Sequence, residues 1–154
     1  MDLTKLSNRA AAEAGYRYVL LHPTTGEPLD DSDASAPAVF LRGAASRVAQ
    51  DRLATLLRAT KKKKEAPTTL EDVHKSLIEN AKAFIIRFEN VEIDGDPVGS
   101  DEKLFTRVLD LTFPEMAMEG RDDEGNPILE LTNAPFAKQI IEAAADSGNF
   151  STAE

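Results

Sequence analysis

The chain lacks several residue types and patterns on which familiar protein chemistries depend. It has no cysteine, which excludes disulfide bonds and thiolate catalysis. Tryptophan is absent and aromatic residues make up only 6% of the 154 residues, so the core must rest on aliphatic side chains and seven phenylalanines. No apolar run approaches the roughly 18 residues of a membrane-spanning helix, and the N-terminal stretch has no apolar signal core. These absences predict a soluble protein of the cytoplasm.

Charge is plentiful but unevenly distributed. The net charge is −9, yet residues 42–64 hold eight basic residues and one acid, whereas residues 89–154 hold sixteen acids and four basic residues. Net acidity argues against nucleic acid and against membranes as partners. The lysine run at 61–64 lacks interleaved aromatic residues. We interpret it first as a solvated helix end, second as a contact for an acidic partner, and only third as a nucleic-acid site.

Hydrophobic periodicity predicts a mainly α fold of the α+β type. We expect a small helical domain with a minor N-terminal antiparallel β element and a β-hairpin insertion near 115–132. Residues 1–66 would hold the β element and a basic helix and residues 67–150 the helical C-terminal part, forming one compact domain with a disordered tail at 151–154. The strongest element is a helix from Thr69 to Glu89, opened by a capping box of Thr68 and Glu71.

The acidic stretch VEIDGDPVGSDE at 91–102 is the first candidate for chemistry. Counted as a calcium-binding loop from Asp94, it has Val98 at the fifth position and Phe105 in place of the bidentate glutamate at the twelfth. It is therefore interpreted as a solvated turn. His22 and His74 have no second histidine at metal-ligand spacing and are expected on the surface. We predict no catalytic residue, no metal, no cofactor and no enzymatic activity.

Apolar side chains in excess of one helical stripe provide the candidate partner-binding surface. Most such residues in proteins simply form core, but here they leave apolar groups on more than one side of the predicted helix. Ile86 lies off the main stripe and is the best candidate for a contact outside the monomer. The sequence leaves open whether the chain forms a homo-oligomer. The candidate partner-binding residues are Phe84, Ile85, Ile86, Phe88, Phe136 and Ile140.

Three short motifs, in their order along the chain, resemble the tail assembly chaperones of long-tailed, siphovirus-like bacteriophages. They are FENV at 88–91, DGDP at 94–97, and PF at 135–136 followed by GNF at 148–150. The resemblance extends over most of the chain from Tyr16 onward. Two departures are visible: Phe88 stands where tryptophan is commoner, and residues 116–131 look inserted.

The resemblance implies a short-form chaperone that binds the tape measure protein and keeps it soluble. Such a protein also helps to recruit tail tube subunits, acts in the host cell cytoplasm and is not part of the mature virion. The alternative is a structural virion component, a tail or head–tail connector subunit that would use the inserted residues as an arm between subunits.

Overall fold

A computed structural model of the chain describes residues 8–30, 32, 34–63 and 69–146. Within these ranges the helices are α1 (Asn8–Ala14), α2 (Arg47–Lys63), α3 (Leu70–Lys82), α4 (Glu102–Leu109) and α5 (Phe136–Ala145). The strands are β1 (Tyr16–Val19), β2 (Ala38–Leu41), β3 (Ile85–Glu89), β4 (Glu92–Ile93), β5 (Asp96–Pro97), β6 (Met116–Arg121) and β7 (Pro127–Leu131). Lys64, Thr68, the GNF motif and the expected tail at 151–154 lie outside the described residues.

The prediction of a mainly α fold is wrong. The structure is 38% helix and 24% strand, and the described strands form three small antiparallel sheets, so the fold is an α+β mixture. The largest single cause is the segment predicted as one helix from Thr69 to Glu89. Helix α3 ends at Lys82, and the residues after it form β3 instead.

Strand β3 forms because its residues complete a sheet. Isoleucine and phenylalanine favour strands, and a two-stranded β1–β2 unit would be marginal alone. Strand β2 pairs antiparallel with β1 on one side and with β3 on the other, with a bulge between Phe40 and Leu41. The central strand is the most buried, with Ala38, Val39 and Leu41 fully covered. Pairing of β3 with β2 therefore overrides the helical spacing of the apolar residues in this segment.

Charged side chains link the three strands across the exposed face of this sheet. Arg17 of β1 donates to Glu89 of β3 at 2.7 Å, and the Arg87 guanidinium lies 4.4 Å from the centre of the Phe40 ring. The hydrogen bond from Arg17 lowers the pKa of the Glu89 carboxyl. These contacts connect the two outer strands across the central one.

The opposite side of the sheet packs into the hydrophobic core. Side chains from β2, β3, α3, α4 and α5 all contribute to it. The largest fully buried members are Leu20, Leu41, Ile85, Phe105, Leu109 and Ile140. The expected hairpin near 115–132 is present as β6–β7, but it is paired mainly within itself.

Helix starts follow the local sequence closely. Ser46 Oγ accepts from the Ala49 amide at 3.2 Å at the start of α2, and Asp101 accepts from the Lys103 amide at 3.0 Å at the start of α4. Helix α3 is capped by Thr69, which accepts from the Asp72 amide at 3.1 Å. The predicted capping box with Thr68 as its first residue is thus wrong by one position.

Gly15 provides a test of how tightly α1 is joined to the sheet. Its φ is +89°, and a Cβ placed there would overlap Cε1 of Phe40. Gly95 has nearly the same φ, +85°, but a Cβ at that position would have no neighbour within 4 Å. We expect Gly95→Ala to lower the free energy of unfolding by about 1 kcal/mol for backbone strain alone. Gly15→Ala should cost about 2–4 kcal/mol, because Phe40 must also move. Urea denaturation measures both, and equal losses would contradict the close contact.

Gln139 provides a second test, because it joins α5 to the chain that follows β1. This side chain is buried; its Nε2 donates to the carbonyls of Leu21 (2.9 Å) and Ala134 (2.7 Å), while its Oε1 accepts from the Leu21 amide at 2.9 Å. Gln139→Glu would set a carboxylate against two carbonyl oxygens. We expect a loss of about 2–4 kcal/mol at neutral pH.

The pH dependence of the Gln139→Glu variant separates this account from a simple packing defect. Burial beside two acceptors would raise the pKa of the introduced carboxyl in the folded state, so stability should recover as the pH falls through that value. Thermal or urea melts at several pH values measure the difference from the wild type. A loss that is the same at acidic and neutral pH would contradict the hydrogen-bonding role.

Candidate functional site

Most of the predicted partner-binding residues lie in the core of the structure. Phe84, Ile85, Phe88 and Ile140 are all at least 95% buried, and Phe88 packs edge-on against Phe105 with ring centres 5.4 Å apart. These four side chains hold the domain together and present no surface. The other two, Ile86 and Phe136, are only partly buried and lie near the starts of β3 and α5.

The acidic stretch at 91–102 is a tight hairpin followed by a helix start. Strands β4 and β5 are joined by Asp94 and Gly95, both with positive φ (52° and 85°), the backbone that a two-residue hairpin turn requires. Asp94 forms an ion pair with Arg107 of α4, and Asp101 caps that helix. Across the described residues, no group of three or more histidine and acidic side chains is placed to hold a metal ion.

His74 is buried, contrary to the prediction that it lies on the surface. Its Nε2 is 2.7 Å from Oδ1 of Asp110, and because a carboxylate only accepts, Nε2 carries the proton. Its ring lies 4.7 Å from that of Phe113. These contacts fix the end of α4 and the segment that leads into β6. The prediction failed because both partners come from a distant part of the chain.

The β6–β7 hairpin carries apolar side chains that the core leaves partly or largely uncovered. Its register pairs Met116 with Leu131 and Met118 with Leu129, which places these four side chains on one side of the hairpin. Met118 is 59% exposed and Leu129 is 56% exposed. We call Met116, Met118, Leu129 and Leu131 the apolar hairpin face.

The base of the hairpin is held firmly to the domain. Asn133 accepts from the Glu115 amide at 2.9 Å and donates to the Phe113 carbonyl at 2.9 Å. Thr112 Oγ1 accepts from the first amide of α5, that of Phe136, at 2.8 Å. Leu111 and Phe113, in the segment entering the hairpin, are 65% and 42% exposed. A fixed base thus carries a projecting strand pair with apolar groups in solvent.

The other side of the hairpin is acidic. Glu119 occupies a bulge between Met118 and Gly120 and shares a hydrogen bond with Glu130 of the opposite strand. That hydrogen bond and the like charge raise the pKa of Glu119. Ile128 is 43% exposed, and its pairing with Gly120 puts it on this same side. We call Glu119, Ile128 and Glu130 the acidic hairpin face.

Alternating apolar and polar residues in the hairpin were visible in the sequence, but their exposure was not. Alternation identifies two faces of a strand pair and cannot say whether a helix covers one of them. A shallow groove of about 300 Å³ also lies between α2, α3 and α4. It is bridged by Arg52 and Glu102 at 2.5 Å, so its charged groups already satisfy each other.

Comparison of the chain with family models, with curated proteins and with solved structures finds no match. In the described ranges, the helices are either too short or too polar for any of them to cross a membrane. The geometry of the hairpin is therefore the strongest structural guide to function.

Removal of one carboxylate tests the paired acids of the hairpin. Since the pKa of Glu119 is raised in the folded hairpin, the folded form holds a proton more tightly than the unfolded form. Hairpin stability should therefore fall as the pH rises through that raised pKa. Glu119→Gln should abolish this dependence and make the hairpin more stable at neutral pH. Cross-strand NMR contacts and amide shifts between about pH 3 and about pH 8 measure it.

Glu115→Gln is the matched control, because it removes the same charge at the base of the same hairpin. It should leave the pH dependence in place. If the two variants behave alike, the acids at 119 and 130 do not act as a pair.

Proposed function

We propose that the chain is a tail assembly chaperone of a long-tailed bacteriophage. It would bind an amphipathic helix of the tape measure protein, keep that protein soluble and help to bring tail tube subunits to it. It would act in the host cell cytoplasm and leave before the virion is complete. The apolar hairpin face is the observation that carries this proposal.

The apolar hairpin face has the shape and chemistry to receive a helix. It is a short stripe of unbranched or γ-branched side chains on a strand pair whose base is fixed to the domain. Methionine is flexible and polarisable, so it adapts to different apolar partners. An amphipathic helix laid on such a stripe would bury its own apolar side, which is what a long helical protein needs before assembly.

The surroundings of the face support reversible rather than permanent binding. Residues 115–131 hold six acidic residues and one arginine, and two of the acids, Glu119 and Glu130, lie on the opposite side of the same hairpin. This charge keeps the free protein soluble despite its exposed apolar groups. The FENV, DGDP and PF motifs are the second support, because their resemblance to phage tail assembly chaperones is independent of the hairpin.

We propose the hairpin as the binding surface in place of the residues predicted from the sequence. Phe84, Phe88 and Ile140 are committed to the core, so the proposal does not use them. Phe136 remains at the border of the site, since its amide is bound to Thr112 beneath the hairpin base.

The double substitution Met118→Ser with Leu129→Ser tests this function. Both side chains are more than half exposed and outside the core, so the variant should fold like the wild type. Co-expressed with the tape measure protein of the same genome, the wild type should raise the soluble fraction of that protein and co-purify with it. The variant should lose about tenfold or more in affinity, since it removes two apolar anchors from the contact.

Leu29→Ser is the matched control, because Leu29 is 41% exposed and lies far along the chain from the hairpin. It should retain full binding. If the wild type neither solubilises nor co-purifies the tape measure protein, the proposed function is wrong. If the wild type binds and the double variant binds equally well, the function stands and the hairpin is the wrong surface.

A structural virion subunit is the second candidate, and the projecting hairpin also favours it. A strand pair that extends from a compact core is a suitable arm between neighbouring subunits. Mass spectrometry of purified particles separates the two functions. A chaperone is missing from the virion, whereas a connector or tail subunit is present in a fixed copy number.

A further inference from the structure

Strand β7 directs part of its backbone away from β6, toward the outer edge of the hairpin. At the base of the hairpin the Thr132 amide donates to the Glu115 carbonyl at 2.8 Å. Hydrogen-bonded and non-hydrogen-bonded pairs alternate along an antiparallel ladder. Counted from that bond, Leu131 and Leu129 stand in non-hydrogen-bonded pairs with β6, so their N–H and C=O groups point outward from the hairpin.

This outer edge of β7 is open. In the ranges that the structure describes, no backbone or side-chain group bonds to the outward N–H and C=O groups of Leu129 and Leu131. Ile128, Leu129 and Glu130 are exposed. The edge of β6 is interrupted by the bulge at Glu119, whereas β7 is regular. A two-stranded sheet is marginal by itself and an open edge is a template for another strand, so the hairpin has room for a third strand beside β7.

The same strand of a second copy is a poor third strand. If Leu129 is set opposite Leu131 of the copy, the two Glu130 side chains face each other, and like charges directly opposite destabilise a sheet. The other antiparallel registers that pair Leu129 within β7 of the copy set one of the leucines opposite Pro127, which has no N–H to donate. Residues 115–131 also carry a net charge of −5, which repels a copy.

Charge and side-chain alternation instead specify a partner that is basic and partly apolar. Successive side chains of an added strand point to opposite faces. Residues opposite Leu129 and Leu131 would extend the apolar hairpin face, and the residue between them would lie beside Glu130 on the acidic hairpin face. Glu130 and Glu119 are like charges in contact, so a cation next to them relieves their repulsion.

We propose that an extended segment of a partner protein adds to the outer edge of β7 as an antiparallel third strand. This segment carries apolar residues opposite Leu129 and Leu131 and a lysine or arginine opposite Glu130. Main-chain hydrogen bonds hold it in place, and the alternating side chains select it. The site is the backbone edge of β7, not the apolar hairpin face, so the inference does not rest on the proposed function.

Amide hydrogen exchange, measured by NMR on the full chain, tests the added strand. The probe is a capped synthetic peptide, Val-Lys-Val-Lys-Val, which matches β7 in length. At saturating peptide, exchange of the Leu129 and Leu131 amides should slow about tenfold or more, because these amides become bonded to the peptide. The Ile128 and Glu130 amides point toward β6 and should change less, so they provide an internal control.

Two N-methylated forms of the peptide separate strand addition from a general attraction to charge. Methylation of the valine amides opposite Leu129 and Leu131 removes the donors that face β7 and should weaken binding about tenfold or more. Methylation of the lysine amides, which face away from β7, should leave binding unchanged. Glu130→Gln should weaken binding of the unmodified peptide about two- to fivefold. Glu115→Gln removes the same charge at the hairpin base and should have no effect.

Three results would each overturn the proposal. They are an absence of protection at about 1 mM peptide, equal binding of the two N-methylated forms, and protection of the Leu129 amide that grows with protein concentration when no peptide is present. The last result would show that a second copy takes the edge. None of them bears on whether the tape measure protein co-purifies with the chain, so failure here and failure of the proposed function are distinguishable.

Discussion

Antiparallel pairing of β3 with β2 is the constraint on which the rest of the fold depends. Strands β1 and β2 alone would leave the edge of β2 open, and the most buried strand of the protein would face water on one side. Because β3 takes that edge, the chain must leave its helical path after Lys82. Phe88 is then directed into the core against Phe105, and the β4–β5 turn and α4 follow from that position.

Two buried polar side chains position the helices on this sheet. Gln139 satisfies backbone groups that follow β1, and His74 holds Asp110 at the end of α4. Each provides directional hydrogen bonds where apolar packing alone would allow helices to slide. As a result the chain segment entering β6 is fixed relative to the core, and the hairpin projects in a defined direction.

The core and the proposed binding surface are separate parts of this protein. Aliphatic and aromatic groups concentrated near the α3–β3 junction are buried in the core. Exposed apolar groups lie instead on peripheral elements, the β6–β7 hairpin and α2, which carry opposite charge. Substitutions in these peripheral surfaces need not disturb the core. Such an arrangement suits a protein that binds partners, as a chaperone or an assembling subunit must.

Local features follow from short stretches of sequence: the starts of α2 and α4, the turn at Asp94 and Gly95, the hairpin near 115–132 and the division of charge. Capping side chains, positive φ and alternation act over a few residues, so they can be recognised without a structure. The remaining features depend on contacts between residues that are far apart in the chain. Residues 84–88 fit a helix or a strand equally well until β2 is present, and His74 looks like a surface residue until Asp110 and Phe113 reach it. Whether an apolar face is core or binding site depends on what covers it, and that is set by contacts between residues far apart in the chain.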